Sequence, residues 1–155
     1  MKAGDLSQTL AMRTPAVAVV VALLASSPAL AQRRGAGGKS EDVTGTYDVR
    51  YEEVSSNCST TSIALARGVL DITRKGKQLV VDIERFPLMY GPGAKAGKVR
   101  AASKIAKSSI DGVDGKFSVA GKVEEGLIQL VFVAEYYVSG KPMCSQTWNV
   151  SGQKK

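Results

Sequence analysis

The sequence predicts an all-β protein, an eight-stranded antiparallel up-and-down barrel, with a two-sheet β-sandwich as the alternative. Residues 127–138, LIQLVFVAEYYV, contain no Gly or Pro and are rich in strand-forming residues, which is typical of a buried strand. Other segments alternate apolar and polar residues, and short Gly-containing turns join most of them. Such short links exclude parallel crossovers, and closing the meander into a barrel removes exposed sheet edges.

The first strand is predicted over residues 45–54, where Tyr and Val alternate with charged residues. A polar connection, residues 55–62, holds the first cysteine. Two further alternating segments, 65–73 and 78–84, flank the turn at 74–77 and predict a β-hairpin.

Residues 85–97 break the alternation because they contain two Pro and three Gly, so they are predicted to be irregular. An apolar cluster interrupts this segment, which is unusual for a solvated loop. We therefore expect its side chains to cover or contact another part of the protein. The cluster consists of Phe86, Leu88, Met89 and Tyr90.

The alternation resumes in strands predicted over residues 98–105, 107–111 and 116–123, and Asp-Gly pairs mark turns between them. The long central strand, 127–138, follows, and the last strand is predicted over 143–152. One face of this last strand carries Cys144, Gln146, Trp148 and Val150.

The first 31 residues are interpreted as a signal peptide rather than as part of the fold. Residues 15–24, PAVAVVVALL, form an apolar core of signal-peptide length, and Ala-Leu-Ala at 29–31 fits a cleavage site. The core is shorter than the roughly 20 residues that a membrane-spanning helix needs. The mature chain is therefore expected to begin at Gln32, to be secreted or periplasmic, and not to span a membrane. Met12 is an alternative to Met1 as the first residue translated.

The mature chain is predicted to form a single domain. Residues 32–44 are polar, Gly-rich and without aromatic residues, so we expect a flexible tail. The barrel is assigned to residues 45–152, and residues 153–155 to a short C-terminal tail. The sequence has a formal net charge of +7, of which the leader accounts for one, and this basic balance favours anionic partners.

Cys58 and Cys144 are the only two cysteines in the sequence. In an exported protein an even number of cysteines is usually paired, so we expect a disulfide between them. Closing so long a loop stabilises a fold by about 4–5 kcal/mol in the chain-entropy model. The alternative is two free thiols.

The opening Gly45-Thr46-Tyr47, at the head of the first strand of an eight-strand meander, resembles the start of lipocalin-like (calycin) barrels. Those barrels usually show Gly-x-Trp at this point, and here Tyr47 takes the aromatic place. The family's basic residue late in the barrel has no clear match near Trp148. The resemblance implies an apolar ligand in the barrel mouth, but it supplies neither the ligand nor the binding residues.

The sequence carries little that supports catalysis. It contains no His, which excludes Ser–His and Cys–His nucleophile systems and histidine-ligated metals. Paired cysteines would leave no Cys-rich metal site, and no Walker-type or Rossmann motif is present. Glu135 is a candidate acid or base because it interrupts an apolar strand, where burial would raise its pKa; the alternative is an outward charge that keeps the strand soluble. We therefore expect no enzyme activity, no catalytic residue, no cofactor and no metal.

A basic wall is predicted on the outer face of the barrel. It comprises Lys98, Arg100, Lys104, Lys107, Lys116 and Lys122. Such a wall could bind an anionic glycan or lipid surface. No aromatic residue is interleaved with it, so nucleic acid is an unlikely partner, and the alternative is that the lysines only protect strand edges.

A ligand-binding set is predicted from the apolar loop and the barrel interior. It comprises Tyr47, Tyr51, Phe86, Leu88, Met89, Tyr90, Phe132, Tyr136 and Trp148. The loop would form a lid over an apolar cavity. The alternative is a filled core plugged by the loop, since eight-stranded barrels are either packed solid or hold one small ligand.

The outer face of the central strand is also apolar. If its even-numbered residues point inward, Leu127, Val131, Val133 and Tyr137 point outward. This patch would be covered by the N-terminal tail, the apolar loop or a second copy of the protein.

Together these patterns predict a secreted or periplasmic, non-enzymatic binding protein that carries an apolar small molecule in the barrel mouth. The alternative is a structural or interaction module of the cell envelope that binds anionic surfaces through its basic wall.

Overall fold

The computed structural model describes residues 42–155, which lie in one compact unit. They form nine β-strands: β1 Gly45–Ser56, β2 Arg67–Lys75, β3 Gln78–Ile83, β4 Met89–Pro92, β5 Lys98–Ala102, β6 Ala106–Lys107, β7 Asp114–Glu124, β8 Leu127–Val138 and β9 Lys141–Lys154. The predicted signal peptide and nearly all of the predicted N-terminal tail lie outside these residues. Within residues 42–155 no helix is long and apolar enough to cross a membrane.

The strands form one antiparallel sheet that closes in a ring. Their order is β5-β4-β3-β2-β1-β9-β8-β7-β6, and β5 also pairs with β7. Eight strands therefore form the ring, and β6 is a two-residue addition on β7. The prediction of an all-β antiparallel meander is confirmed, with one closed sheet instead of the alternative of two.

Strand β4 lies inside the segment that the sequence predicted to be irregular. It pairs with β3, so that Met89 lies opposite Val81, and it meets β5 through the pair Tyr90 and Ala102. A Cβ atom on Gly91 would lie 1.7 Å from the carbonyl oxygen of Arg100, so only glycine allows this approach of β4 and β5. The glycine that indicated a loop is therefore required by strand packing.

The predicted strand at 107–111 is reduced to Ala106–Lys107 in β6, because the next residues form a turn. The Ser108 hydroxyl holds this turn: it donates a hydrogen bond to the Val113 carbonyl at 2.7 Å and accepts one from the Ile110 N–H at 3.1 Å. A side chain that bonds to its own backbone in this way competes with strand pairing.

The ring has two different ends. The closed end carries the turns at 76–77, 93–97 and 125–126, and Val43 is fully buried there, although the sequence placed it in a flexible tail. The Tyr47 hydroxyl donates a hydrogen bond to the Val43 carbonyl at 2.8 Å. Strand β9 also runs to Lys154 at this end, two residues past its predicted end.

The open end carries the connections 57–66, 84–88, 103–113 and 139–140. The expected disulfide between Cys58 and Cys144 is present, with the two Cα atoms 5.2 Å apart, and it ties the connection 57–66 to β9. This end holds an aromatic cluster: Tyr51, Phe86, Phe117, Phe132, Tyr136 and Trp148. The Phe132 ring lies within it, 5.3 Å from Trp148 and 5.1 Å from Phe86 between centroids.

Candidate ligand-binding site

A cavity of about 520 Å³ lies at the open end of the ring, where three connections meet above β7 and β8. The connection 57–66 forms one side, the β3–β4 connection a second, and residues 107–109 a third. Its lining residues are Ile63, Ala64, Leu65, Arg85, Phe86, Pro87, Lys107, Ser108, Ser109, Phe117 and Tyr136. The volume is within the range of small-molecule sites, roughly 300–1,000 Å³.

The side formed by residues 57–66 is anchored to β9 at several points. Besides the disulfide, the side-chain oxygen of buried Gln146 accepts a hydrogen bond from the Ile63 N–H at 3.0 Å. The Gln146 amide donates to the Ile63 carbonyl at 3.0 Å and also to the Glu53 carboxylate. The Thr61 hydroxyl lies 3.0 Å from the sulfur of Cys144. These contacts hold Ile63 and its neighbours over the cavity, so this wall needs little ordering when a ligand binds.

Phe86 forms the wall contributed by the β3–β4 connection. Its ring lies 5.0 Å from that of Phe117 between centroids, and its N–H donates to the Ile83 carbonyl at 2.9 Å, which closes a turn. Arg85 occupies the third position of this turn with φ of 76°. This left-handed conformation is usual for Gly at that position and strained for an Arg.

Three buried polar atoms at the open end have no hydrogen-bond partner within the described part of the chain. They are the hydroxyl oxygens of Tyr51 and Tyr136 and the indole nitrogen of Trp148. Burial raises the pKa of Tyr51 to about 12 and also raises the pKa of Tyr136, so both phenols stay protonated at neutral pH. Tyr136 lines the cavity, and Tyr51 lines a smaller pocket of about 130 Å³ that shares Ala64, Leu65 and Arg85 with the cavity.

The predicted ligand-binding residues are distributed over the whole molecule. Phe86 and Tyr136 line the cavity, and Tyr51 lines the adjoining pocket. Phe132 and Trp148 lie in the aromatic cluster and do not line the cavity, although Phe132 contacts Phe86.

The other four residues of that set lie elsewhere. Tyr47 is at the closed end, where it bonds to Val43. Met89 is fully buried in the core, whereas Leu88 and Tyr90 are 42% and 44% exposed. None of the four lines the cavity.

Most of the cavity lining was not in the predicted set. Ile63, Ala64 and Leu65 belong to the connection between β1 and β2, although the sequence predicted a strand from residue 65, and Phe117 lies on β7. The apolar residues at 63–66, directly after the polar connection 55–62, were a usable signal, because apolar residues need a surface to cover. No pattern in the sequence indicated that this connection and the β3–β4 connection meet.

The structure divides the predicted basic wall into parts. Lys98 lies opposite Lys122 in the pairing of β5 with β7, and Arg100 is exposed on the same face of β5. Lys122 makes an ion pair with Glu124 at 2.8 Å. Lys104 lies in the connection 103–113, and Lys107 lines the cavity instead of the wall.

Glu135 lies on the outer face of β8 and accepts a hydrogen bond from Lys116 at 3.0 Å. The carboxylate of Glu135 raises the pKa of Lys116 through this bond and its charge. Glu135 does not line the cavity. The described residues contain no group of three or more His, Cys, Asp or Glu that could hold a metal ion.

The apolar outer face of β8 is only partly exposed. Leu127 and Val131 are exposed, whereas Val133 and Tyr137 are half-buried.

Comparison of the chain with protein-family models, curated proteins and solved structures finds no match. The function is therefore argued from the geometry and chemistry of the cavity.

Proposed function

We propose that the protein is a non-enzymatic binding protein that holds an apolar small molecule in the cavity at the open end. The observation that carries this proposal is the cavity itself, about 520 Å³ in volume with Ile63, Leu65, Phe86 and Phe117 in its wall. Small-molecule sites combine such an apolar lining with a few polar groups. Burying apolar ligand surface there contributes roughly 25 cal/mol per Å².

Export from the cytoplasm is part of the same proposal. Two observations support it: the disulfide between Cys58 and Cys144, and the leader-like sequence at residues 1–31. Disulfides persist in secreted and periplasmic proteins and are rare in the cytosol. A carrier at such a site would bind its ligand outside the cell or in the periplasm.

The test is a fluorescence titration with N-phenyl-1-naphthylamine, an uncharged probe that emits in apolar surroundings. We expect saturable binding by the wild-type protein and at least tenfold weaker binding by Phe86→Ser, because the substitution removes one wall of the cavity. The matched control is Leu88→Ser, two residues away in the same connection, exposed and outside the cavity lining. It should bind like wild type.

Circular dichroism and urea unfolding would show that both variants are folded. Absence of saturable binding to the wild-type protein would overturn the proposal. Equal losses in the two variants would place the probe somewhere other than this cavity and would also count against it.

A second candidate function is binding to an anionic lipid surface through Lys98, Arg100 and Lys122. The direct opposition of Lys98 and Lys122 favours it, because the pairing concentrates positive charge on one face of the sheet and only Lys122 has an ion-pair partner, Glu124. The protein would then sediment with phosphatidylglycerol vesicles but not with phosphatidylcholine vesicles, and salt would release it. Binding that survives Lys98→Gln with Arg100→Gln would reject this second function.

A further inference from the structure

The chemistry of the cavity rim specifies the ligand more narrowly than its apolar wall does. We infer that the ligand is an amphipathic anion, with its apolar body in the cavity and a carboxylate at the rim between Arg85 and Lys107. This inference rests on the proposed function, because it concerns the same cavity.

The first observation is the charge of the lining. Arg85 and Lys107 come from different connections, and both line the cavity, whereas no Asp or Glu does. Neither cation takes part in an ion pair within residues 42–155, where the three ion pairs use Lys116, Lys122 and Lys155. Asp114 lies opposite Lys107 in the pairing of β6 with β7, and Glu84 lines the adjoining pocket, but neither forms an ion pair with the two cations. The rim therefore holds two cations without an ion-pair partner, next to an apolar wall.

The second observation is the backbone of Arg85. Four non-glycine residues in the described chain have positive φ, and three of them are followed by a glycine that also has positive φ: Ala96, Glu125 and Ser139. Positive φ at both central residues is what a tight hairpin turn requires. Arg85 is not followed by a glycine with positive φ. Its own φ of 76° is a backbone conformation that Gly adopts without strain and that is strained for Arg.

Strain of this kind costs about 1–3 kcal/mol and persists where the surrounding structure imposes it, commonly at ligand sites. Here it accompanies a side chain that lines both the cavity and the adjoining pocket. An arginine fork binds a carboxylate through two parallel hydrogen bonds, which an ammonium group does not reproduce. Stability alone gives no reason for Arg at this position, whereas an anionic ligand does.

The third observation concerns the hydroxyl of Ser108, whose hydrogen bonds are made within its own turn. The Ser108 side chain donates to its own turn and accepts the Ile110 N–H. Besides the hydroxyls of Ser109 and Tyr136, which also belong to lining residues, a polar head group at this part of the rim meets the charges of Arg85 and Lys107. Because these two are donors with no acceptor, the head group they favour is an anion.

The test compares ligands that share an apolar tail and differ in head group: decanoate, decanol and decyltrimethylammonium, each below its micelle concentration. Their affinities are measured by displacement of N-phenyl-1-naphthylamine. We expect decanoate to bind about tenfold more tightly than decanol, an advantage that is appropriate for two partly solvated charge contacts. The cation should bind more weakly than either, and rising salt should reduce only the advantage of decanoate.

The double variant Arg85→Gln with Lys107→Gln should lower decanoate affinity to that of decanol and leave decanol unchanged. Lys104→Gln with Lys141→Gln removes the same charge from exposed positions outside the lining and should preserve the preference. Equal binding of decanoate and decanol would overturn the inference while leaving an apolar carrier in place. An equal loss of preference in the control would assign it to the net charge of the protein and would also overturn the inference.

Failure of the probe and of all three ligands to bind would instead reject the proposed function itself.

Discussion

At the closed end of the ring the core is mainly aliphatic and complete, whereas at the open end it is aromatic and leaves a cavity. The closed end buries Val43, Tyr47, Ile72, Leu79, Val123 and Ile128, each at most 1% exposed. Its one phenol has a partner, the Val43 carbonyl. At the open end the buried hydroxyls of Tyr51 and Tyr136 have no partner within the described residues.

The closed end therefore contributes mainly to the stability of the fold, whereas the open end holds the proposed binding site at a cost in stability. A buried polar atom left without a hydrogen bond costs about 1–3 kcal/mol, and a cavity forfeits packing contacts. The open end carries both costs together with the strained Arg85, and the disulfide and Gln146 offset them by anchoring the surrounding connections. Departures from optimal packing of this kind are expected where a protein binds a ligand, as we propose for the open end.

The largest expected effect is loss of the disulfide. Replacing Cys58 and Cys144 by Ser should lower the free energy of unfolding by about 4 kcal/mol, because the unfolded chain regains a long open loop. Urea unfolding measures this, and the open end should become more susceptible to proteolysis than the closed end. Thiol titration of the unreduced wild-type protein should give no reactive thiol; two would contradict the pairing.

Truncation at each end should separate folding from binding. Ile128→Ala at the closed end should cost about 3 kcal/mol of unfolding free energy, because it leaves a void in a filled core, and probe affinity should stay within about twofold. Phe86→Ala, at a half-buried position on the cavity, should cost less stability and weaken probe binding strongly. Urea unfolding and fluorescence titration test both. Equal effects of the two variants on stability and on binding would show that the two ends are not functionally distinct, and the reverse pattern would assign binding to the closed end.

Alkaline pH should destabilise the fold through the open end. The pKa of Tyr51 is about 12 in the folded protein, above the value of about 10 in an unfolded chain, so the folded state keeps its proton longer. This contribution to stability is fully present below pH 10 and is lost as the pH rises towards about 12. The loss should stay below the roughly 2.7 kcal/mol that corresponds to two pKa units, because Tyr51 lines a pocket and solvent screens part of the effect.

Urea unfolding at a series of pH values measures this decline, and Tyr51→Phe should reduce it. A decline that is as steep in Tyr51→Phe as in wild type would assign the alkaline effect to other groups.

Removing single hydroxyls should have opposite effects at the two ends. Tyr47→Phe loses the bond to Val43 and should cost about 1 kcal/mol. Tyr136→Phe removes a buried hydroxyl without a partner and should be neutral or stabilising by up to about 1 kcal/mol. Thermal unfolding compares the two variants. A clear loss of stability in Tyr136→Phe would mean that its hydroxyl has a partner.

The smallest expected effect is relief of backbone strain. Arg85→Gly should raise the unfolding free energy by a few tenths to about 1 kcal/mol, because Gly adopts positive φ without steric cost. Ser139→Gly, also at positive φ and at the same end, provides the control and should leave decanoate affinity unchanged. Arg85→Gly should lower that affinity, and Arg85→Gln should lower it without the gain in stability.

The sequence by itself determined the features that depend on local alternation. The inward positions of β1 and β8, the hairpin of β2 and β3, and the pairing of the only two cysteines were all predictable. Side chains two apart on a strand share a face whatever the rest of the chain does. An even and minimal number of cysteines leaves a single intramolecular pairing.

Only the tertiary structure showed which distant segments meet, because the alternation of apolar and polar residues does not encode those contacts. Strand β4 became visible only through its pairing with β3, because its Gly and Pro residues resemble those of a loop locally. Arg85 and Lys107 line one cavity because ring closure through β5 and β7 brings their connections together. Val43 is buried at the closed end, where its carbonyl accepts a hydrogen bond from the Tyr47 hydroxyl. Such meetings depend on long-range register, which local sequence patterns do not specify.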